Sequence, residues 1–329
     1  MAVQVTIIGL GQIGASIGLA LSDHKELLYR VGHDRDFKIA NQAEKLGAVD
    51  KVENNLPKSV RDAGLVILSL PVDQMRETLE FIAPDLKEGA VVMDTGPVKD
   101  VVANWAAELL PEGRHYVGLT PVLNPHYLYS MDAGLQAARH DLFQQGMMAI
   151  ITPPKSSSEA IKLAADLTRL IGASPLFADP VEMDGLMAAT QVLPQLMAAS
   201  LINATMDQPG WREGRKIAGR DYAEVTGPMA HLWDSQSLAV ASSLNRENVL
   251  RMLDSVIATM QAMRNDIDQR NEEALSERLK RAYAGRLKWW QERQSGEWSS
   301  DGGPKLEMPD SGGFLGRMFG KSRKSDQKK

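Results

Sequence analysis

The sequence of 329 residues contains no cysteine and no strong excess of charge of either sign. The lack of cysteine excludes disulfide bonds, thiolate nucleophiles and cysteine metal sites, and it suits a reducing cytoplasm. The formal net charge of -5 implies no general affinity for nucleic acid. Because no uninterrupted run of about 18 apolar residues occurs, we expect no integral membrane segment. Because an apolar strand pattern begins at Val3, we expect no signal peptide.

The composition is that of an ordinary globular protein, with 43% hydrophobic and 24% charged residues. The length is sufficient for two domains. Strand and helix patterns alternate up to residue 178, strand patterns stop near Pro180, and the composition changes again after about residue 293. We therefore predict a first domain over 1–178, a helical domain over 179–293 and a tail over 294–329.

A glycine-rich turn follows the first apolar strand pattern. Residues 3–8 are rich in β-branched side chains, and a helical pattern of apolar residues begins directly after the turn. The spacing G-x-G-x-x-G provides a tight turn, a close backbone approach to a pyrophosphate and close packing of the helix on the strand. The N–H groups and the dipole at the helix N-terminus then bind the anion. The predicted dinucleotide-binding residues of this turn are Gly9, Leu10, Gly11, Gln12, Ile13 and Gly14.

An acidic residue, Asp34, ends the second predicted strand, 20 residues after Gly14. A carboxylate in this position accepts hydrogen bonds from the ribose hydroxyls of adenosine and repels a 2′-phosphate, so it favours NAD over NADP. Arg30 and Arg35 are close in sequence, and they leave NADP open as the alternative. We predict that Asp34 and Arg35 bind the cofactor and that the cofactor is NAD. A glycine turn without a ligand is the other interpretation of these residues.

The alternation of strands and helices predicts an α/β fold, a Rossmann-type doubly wound parallel sheet. In such sheets, ligands bind beyond the carboxyl ends of the strands. Lys99 follows one such end and is a candidate for the cleft, with a surface lysine in a first helical turn as the alternative. Further cofactor-binding residues predicted at the strand ends are Ser69, Leu70, Pro71, Asp94 and Thr95.

The pattern loosens between residues 119 and 145, where we predict a long loop over the cleft. His126 lies on this segment, six residues after Thr120. Imidazole titrates near neutral pH and can accept a proton, so His126 is a candidate catalytic residue by position, with a solvated or packed histidine as the alternative. No set of His, Asp and Glu has metal-site spacing, and we predict no metal.

The second half of the sequence predicts helices only. A long apolar helix over 182–203 contains Pro194, where we expect a kink, and apolar residues repeat with helical period over 245–267. These helices are too few to bury every apolar face, so we expect a homodimer formed through the helical domain. From residue 294 the composition predicts a disordered basic tail. Contact of this tail with an anionic membrane or an acidic partner is the alternative to simple solvation.

From about residue 3 to 293 the sequence resembles the prephenate/arogenate dehydrogenases. Residues 8–16 are similar to the family's opening, 94–99 to its Asp-x-Gly-Ser-Val-Lys strand end, and 245–247 to its asparagine-led final helix. The resemblance implies an NAD(P)-binding Rossmann domain joined to a helical dimerisation domain. It also implies a cytoplasmic enzyme of tyrosine biosynthesis that acts on a small-molecule substrate.

Several positions to which the resemblance assigns the family's chemistry differ in this sequence. Thr120 occupies the position of a histidine that takes the proton of the substrate's ring hydroxyl, and threonine cannot act as that base. Pro97 replaces the serine that supports this histidine. Gln191 and Gln195 replace two helical histidines, and Lys216 replaces an arginine that binds the substrate carboxylate. The resemblance thus implies an altered catalytic position at Thr120, with Thr120, Gln191, Gln195 and Lys216 as substrate-binding residues.

These features favour an NAD(P)-dependent oxidoreductase that transfers a hydride from a small carboxylate alcohol, by family default prephenate or arogenate. A non-catalytic dinucleotide-binding sensor or scaffold, derived from such an enzyme, is the alternative. A 3-hydroxyacid-type dehydrogenase of similar plan would need a lysine on the long helix, and residues 180–203 contain none.

Overall fold

The computed structural model describes residues 2–154, 156–230, 232 and 234–296. The tail predicted from residue 294 lies outside the described residues from 297 on. Strands occupy the first part of the chain: β1 (Val3–Ile8), β2 (Leu28–His33), β3 (Lys51–Val52), β4 (Ala63–Leu68), β5 (Val91–Asp94), β6 (His115–Val122), β7 (Met147–Ile151) and β8 (Ser174–Ala178).

The eight strands form one sheet in the order β3-β2-β1-β4-β5-β6-β7-β8. Every neighbouring pair is parallel except β6 and β7, which are antiparallel. The predicted Rossmann-type doubly wound α/β fold is confirmed, and the sheet departs from the predicted parallel arrangement at this one pair. The strand order reverses between β1 and β4, so the carboxyl ends of these strands flank the crevice in which such folds bind ligands.

Strand β6 continues further than the sequence indicates. Its residues Gly118 to Val122 pair with β7, so Thr120 and Pro121 belong to a strand and the prediction that the loop begins at 119 is wrong. Strand β5 ends in register with Gly118. Beyond that point no described residue pairs with β6 on its β5 side, and a proline is tolerated on such a free edge.

Helices cover both faces of the sheet and bury an apolar core on each. Alternate side chains of the strands point to opposite faces. For example, Val5 and Ile7 of β1 belong to one core and Ile8 to the other. The helices of this part are α1 (Gln12–Ala20), α2 (Phe37–Lys45), α3 (Leu56–Val60), α4 (Val72–Ile82), α5 (Asp100–Leu109) and α6 (Ser158–Leu170).

The described residues after β8 form helices: α7 (Pro180–Met187), α8 (Leu193–Met206), α9 (Trp211–Ile217), α10 (Arg220–Thr226), α11 (Ser235–Leu244), α12 (Arg246–Asp268) and α13 (Glu272–Ser295). A π-helical turn, Ala188–Val192, joins α7 to α8. Pro194 lies two residues after this turn and cannot donate a backbone hydrogen bond, so the irregularity expected at the proline lies one turn earlier.

The continuous helix Pro180–Met206 has 27 residues, and its most apolar window has a mean hydropathy of 1.4. By length and composition this helix could span a membrane. This finding departs from the expectation of no integral membrane segment, which was based on the lack of an uninterrupted apolar run. Such properties are weak evidence, because a helix that packs against protein also has them. Only 22% of the window is buried within this chain, so the helix has apolar surface available for another subunit.

Candidate functional site

The glycine turn lies between the ends of β1 and β4, where the sheet order reverses. Gly9 has a φ of 91°, and a Cβ atom there would lie 2.2 Å from the carbonyl oxygen of Ser69. A Cβ atom on Gly14 would lie 1.9 Å from the carbonyl oxygen of Gly9. A Cβ atom on Gly11, by contrast, would meet no atom within 4 Å. Gly9 and Gly14 are thus required by the protein itself, whereas the open space at Gly11 fits a bound pyrophosphate.

Asp34 follows β2 and turns back to the glycine turn. Its Oδ2 accepts a hydrogen bond of 2.8 Å from the backbone N–H of Leu10, and its Oδ1 accepts one of 2.8 Å from Asp36. The carboxylate is therefore held at the edge of the turn, where the fold places the adenosine ribose. Arg35 is exposed beside it.

Arg30 does not reach this site. It is buried, its guanidinium donates to the carbonyl oxygens of Gly18 and Gly47 at 2.7 and 2.9 Å, and it pairs with Asp50 at 2.5 Å. Although burial opposes the effect, the Arg30 hydrogen bonds and charge lower the pKa of Asp50. The suggestion that Arg30 lies near a 2′-phosphate is therefore wrong. The Arg30 guanidinium instead binds backbone carbonyl oxygens at the carboxyl ends of α1 and α2.

The next two strand ends lie side by side. The Thr95 hydroxyl donates to the Ser69 hydroxyl at 3.3 Å, and the backbone N–H of Thr95 donates to Leu68 at 3.0 Å. Leu70 is half-buried and Pro71 directly precedes α4. This placement permits the predicted contacts with a cofactor, which stay predictions. They involve Gln12, Ile13, Ser69, Leu70, Pro71 and Thr95.

Behind these strand ends lies a fully buried polar cluster around Asp94. Its Oδ2 accepts hydrogen bonds from Lys99 Nζ and the Gly96 N–H, both at 2.7 Å. Its Oδ1 accepts one of 2.5 Å from the Tyr116 hydroxyl. The Lys99 side chain passes over Gly118, where a Cβ atom would lie 3.2 Å from Lys99 Cδ. Asp94 and Lys99 thus satisfy each other inside the protein, and neither side chain is exposed to a cleft.

Burial also changes the acid–base properties of this cluster. It lowers the pKa of Lys99 against the opposing effect of Asp94. Burial, together with the negative charge of Asp94, raises the pKa of Tyr116 well above its usual 10.0. Lys99 therefore serves as the buried partner of Asp94, and no local pattern marks Tyr116 as part of the cluster, because 22 residues separate it from Asp94.

Asp184 of α7 connects this cluster to the helical domain. Its carboxylate accepts hydrogen bonds from the backbone N–H groups of Lys99 and Asp100, at 2.6 and 3.2 Å, and so caps the start of α5. Burial raises the pKa of Asp184. Its backbone oxygen accepts a bond of 2.7 Å from the Asn245 side chain. Sequence analysis missed Asp184, since its partners are 61 to 85 residues away.

Thr120 shares a face of β6 with Tyr116 and Gly118, because side chains alternate along a strand. It is paired with Ala149 of β7, which packs with Met183 and Met187 of α7. Thr120 is 6% exposed. Its Oγ1 is the one buried side-chain polar atom in the described part of the chain that has no hydrogen-bond partner.

The other predicted substrate residues lie on separate elements. Gln191 is exposed in the π-helical turn, and Gln195 is half-buried in α8. Lys216 of α9 is exposed and pairs with Glu213 at 2.7 Å. His126 is exposed in a short turn after β6, with its ring 5.2 Å from that of Tyr127. No described contact joins these side chains to Thr120.

The glycine turn at the sheet reversal and the carboxylate at the end of β2 define a dinucleotide-binding domain. Joined to a helical domain through Asp184, it has the architecture of a two-domain nicotinamide-dependent dehydrogenase.

Comparison with known proteins agrees with this class. The family described as "Prephenate dehydrogenase, nucleotide-binding domain" matches residues 17–176, and "Prephenate dehydrogenase, dimerization domain" matches 179–281. The chain is 26% identical over 283 residues to a prephenate dehydrogenase of Bacillus subtilis, covering 84% of this chain and 74% of that protein. It is 28% identical over 292 residues to a cyclohexadienyl dehydrogenase of Zymomonas mobilis, covering 86% and 95%.

A solved structure shares the fold. The crystal structure of prephenate dehydrogenase from Aquifex aeolicus with hydroxyphenyl propionate and NAD+ superposes with a TM-score of 0.77. The two chains are 22% identical, and the match covers 88% of this chain and 98% of that one.

The chain belongs to the prephenate dehydrogenase family. The predicted oxidoreductase class, the NAD cofactor and the resemblance to this family are confirmed. The chain also carries the family's dimerization domain. Nothing in the comparisons favours the non-catalytic sensor or scaffold.

Proposed function

We propose that this enzyme oxidises prephenate or arogenate, with NAD as the hydride acceptor. The proposal is supported by the relatives, which are named prephenate and cyclohexadienyl dehydrogenases, and by the glycine turn with its open approach at Gly11. NAD bound there supplies an electrophilic ring carbon that accepts the hydride. The protein must orient the substrate carbon that carries the hydroxyl and accommodate loss of the hydroxyl proton.

We propose that Thr120 contacts the reacting part of the substrate. The observation that carries this proposal is its buried hydroxyl at the carboxyl end of the sheet, which has no partner among the residues that the structure describes. Leaving a buried hydroxyl unsatisfied costs about 1–3 kcal/mol, so a bound ligand that completes its hydrogen bond gains that energy. A threonine hydroxyl does not titrate near neutral pH and can orient the substrate hydroxyl without acting as its base. Gln191, Gln195 and Lys216 stay proposed substrate residues, and His126 the proposed proton acceptor.

The test measures NADH formation from prephenate and from arogenate, with NADP as a parallel cofactor. We expect turnover of at least one substrate with NAD. No turnover of either substrate, by protein shown calorimetrically to bind NAD, would remove the substrate assignment.

Variants at two positions separate the roles of the hydroxyl and of the imidazole. Thr120→Ser keeps the hydroxyl and is expected to keep most activity, whereas Thr120→Val keeps the shape and is expected to lower kcat/KM by about 10- to 100-fold, which corresponds to roughly 1.4–2.7 kcal/mol. His126→Gln is expected to lower kcat and to change the pH–rate profile, because it removes the proposed proton acceptor. An unchanged profile in His126→Gln would exclude that histidine as the base.

We also propose that the chain forms a homodimer through its helical domain and acts in the cytoplasm on a small molecule, without nucleic acid. Helix α12 supports the dimer, because it presents an exposed apolar stripe of helical spacing, Leu250, Ile257, Met260 and Ile267. Light scattering is expected to give twice the chain mass, and Ile257→Glu to give the monomer. Wild-type protein of single-chain mass would contradict this assembly.

A further inference from the structure

The loop after β6 is held from outside by the last turns of helix α13. We call residues 123–146, between β6 and β7, the cleft loop. Arg293 of α13 donates a hydrogen bond to the backbone oxygen of Leu123, the first residue of that loop. Arg293 is 4% exposed, and burial lowers its pKa. A buried guanidinium stays in place only where it has a partner, and here the partner is the loop backbone.

A second arginine holds the loop two helical turns earlier. Arg286 donates a hydrogen bond to the hydroxyl of Tyr129. Its guanidinium carbon lies 4.9 Å and 5.0 Å from the ring centres of Trp289 and Trp290, within cation–π distance. The Tyr129 ring also meets Trp290 edge to face, with the ring centres 5.4 Å apart. This cluster fixes the first third of the cleft loop against α13.

The contacts form one helical stripe. Residues 286, 290 and 293 are spaced i, i+4 and i+7, so they lie on one face of α13. We call this face the α13 strap (Arg286, Trp290 and Arg293). Elsewhere on α13, Tyr283 and Leu287 are largely exposed.

The far end of the cleft loop is fixed to the dinucleotide-binding helix. The backbone N–H of Arg139 donates a hydrogen bond of 3.0 Å to the hydroxyl of Ser16. Ser16 lies two residues after Gly14, in α1. Within the loop, the Tyr127 hydroxyl donates to Asp141 at 2.6 Å. The loop begins three residues after Thr120. It therefore crosses from the proposed substrate position to the helix that begins at the glycine turn.

We infer that Arg286 and Arg293 are positioning residues for the reaction: the α13 strap holds the cleft loop over the substrate side of the site. The inference rests on the proposed function for its kinetic consequence, whereas the mechanical part stands on the contacts alone. Neither arginine is placed against substrate or cofactor. Their removal should loosen the loop and weaken substrate binding more than it slows the chemical step.

The test uses the full chain with Arg286→Met, Tyr129→Phe and Arg293→Met. Arg281→Met is the matched control, because Arg281 is an exposed arginine on another face of the same helix. We expect the strap variants to increase amide hydrogen exchange of residues 123–133 at least tenfold and to raise KM for the substrate about 5- to 20-fold. Affinity for NAD should stay within twofold of wild type, and kcat should fall by a smaller factor than KM rises. Arg286→Lys, which retains a cation and a donor, should recover part of the effect.

The two readouts separate this inference from the proposed substrate. If neither prephenate nor arogenate is turned over, faster exchange in the strap variants alone still supports the positioning of the loop. Unchanged exchange and unchanged KM in both arginine variants overturn it. A fall in thermal stability with equal loss of exchange protection in β1 and β4 would also overturn it, because that result shows general unfolding.

Discussion

Replacing Lys99 by methionine tests the buried cluster that supports the strand ends. Lys99 and Asp94 are both fully buried, and their charges meet at 2.7 Å. Methionine retains an unbranched apolar side chain of similar length but removes the ammonium group. The carboxylate of Asp94 would then keep only the hydroxyl of Tyr116 and the N–H of Gly96 as donors.

The expected loss follows from the environment of the pair. Removing one partner of a buried ion pair leaves an uncompensated charge and costs about 3–5 kcal/mol. That is a large part of the roughly 5–15 kcal/mol that stabilises a native protein. Replacing both members with neutral groups avoids the uncompensated charge. The double variant Lys99→Met/Asp94→Asn should therefore be more stable than Lys99→Met alone.

Urea unfolding at pH 8, followed by circular dichroism, measures these free energies. Lys162→Met provides a control, because Lys162 is exposed on α6 and its replacement should change stability by less than about 0.5 kcal/mol.

Two results would refute this reasoning. A loss below about 1 kcal/mol for Lys99→Met at pH 8 would mean that the ammonium does not compensate a buried charge. A double variant no more stable than Lys99→Met would mean that the cost comes from packing around the lysine stem. In that case the change in stability would show no coupling between Lys99 and Asp94.

Four further substitutions test the cofactor site and the link between domains. Gly11→Ala should leave the melting temperature unchanged but weaken NAD binding in calorimetry, since the added Cβ atom enters the open space proposed for the pyrophosphate. Gly9→Ala should also lower the melting temperature, because Gly9 has a φ of 91° and a Cβ atom there would lie 2.2 Å from the Ser69 carbonyl oxygen. Equal melting temperatures of the two variants would contradict this expectation. Asp34→Ala should weaken the binding of NAD by about 10- to 100-fold and reduce the ratio of the affinity for NAD to that for NADP. An unchanged NAD dissociation constant would contradict the proposed contact of Asp34 with the ribose. Because the pKa of Asp184 is raised, folded protein binds that proton more tightly, so this group's contribution to stability should fall as pH rises from 3.8 through the raised value. Asp184→Asn should lack that part of the slope in urea titrations, and an identical slope would refute the assignment.

The features predictable from sequence are those written in consecutive residues. The glycine turn, the strand that precedes it and Asp34 all lie within the first 34 residues, and their spacing carries their roles. The direction of β7 was not predictable in this way. An apolar strand of five residues has the same pattern whether its neighbour runs parallel or antiparallel, and the long cleft loop before it permits either.

The polar cluster needed the tertiary structure. Lys99 follows a strand end, which suggested a position facing the cleft. Because Gly118 has no Cβ atom, the Lys99 side chain can instead run across β6 to Asp94. Asp184 lies on a helix of the other domain, and nothing local marks it as the cap of α5. Such pairings depend on how α7 packs on the sheet, and a hydrophobic pattern does not encode that angle.

The same cluster gives the threonine position its meaning. The positive charge of Lys99 is matched by Asp94, and the carboxylate of Asp184 is matched by two backbone N–H groups, so neither group has a charge left to offer Thr120. The Thr120 hydroxyl is buried on the same face of β6 as Tyr116 and Gly118, without a partner in the described residues. Buried polar groups are seldom left unsatisfied in a folded protein, since each costs about 1–3 kcal/mol. A neutral donor and acceptor kept at the carboxyl end of the sheet therefore favours a site that orients a substrate hydroxyl, with the proton taken up by another group.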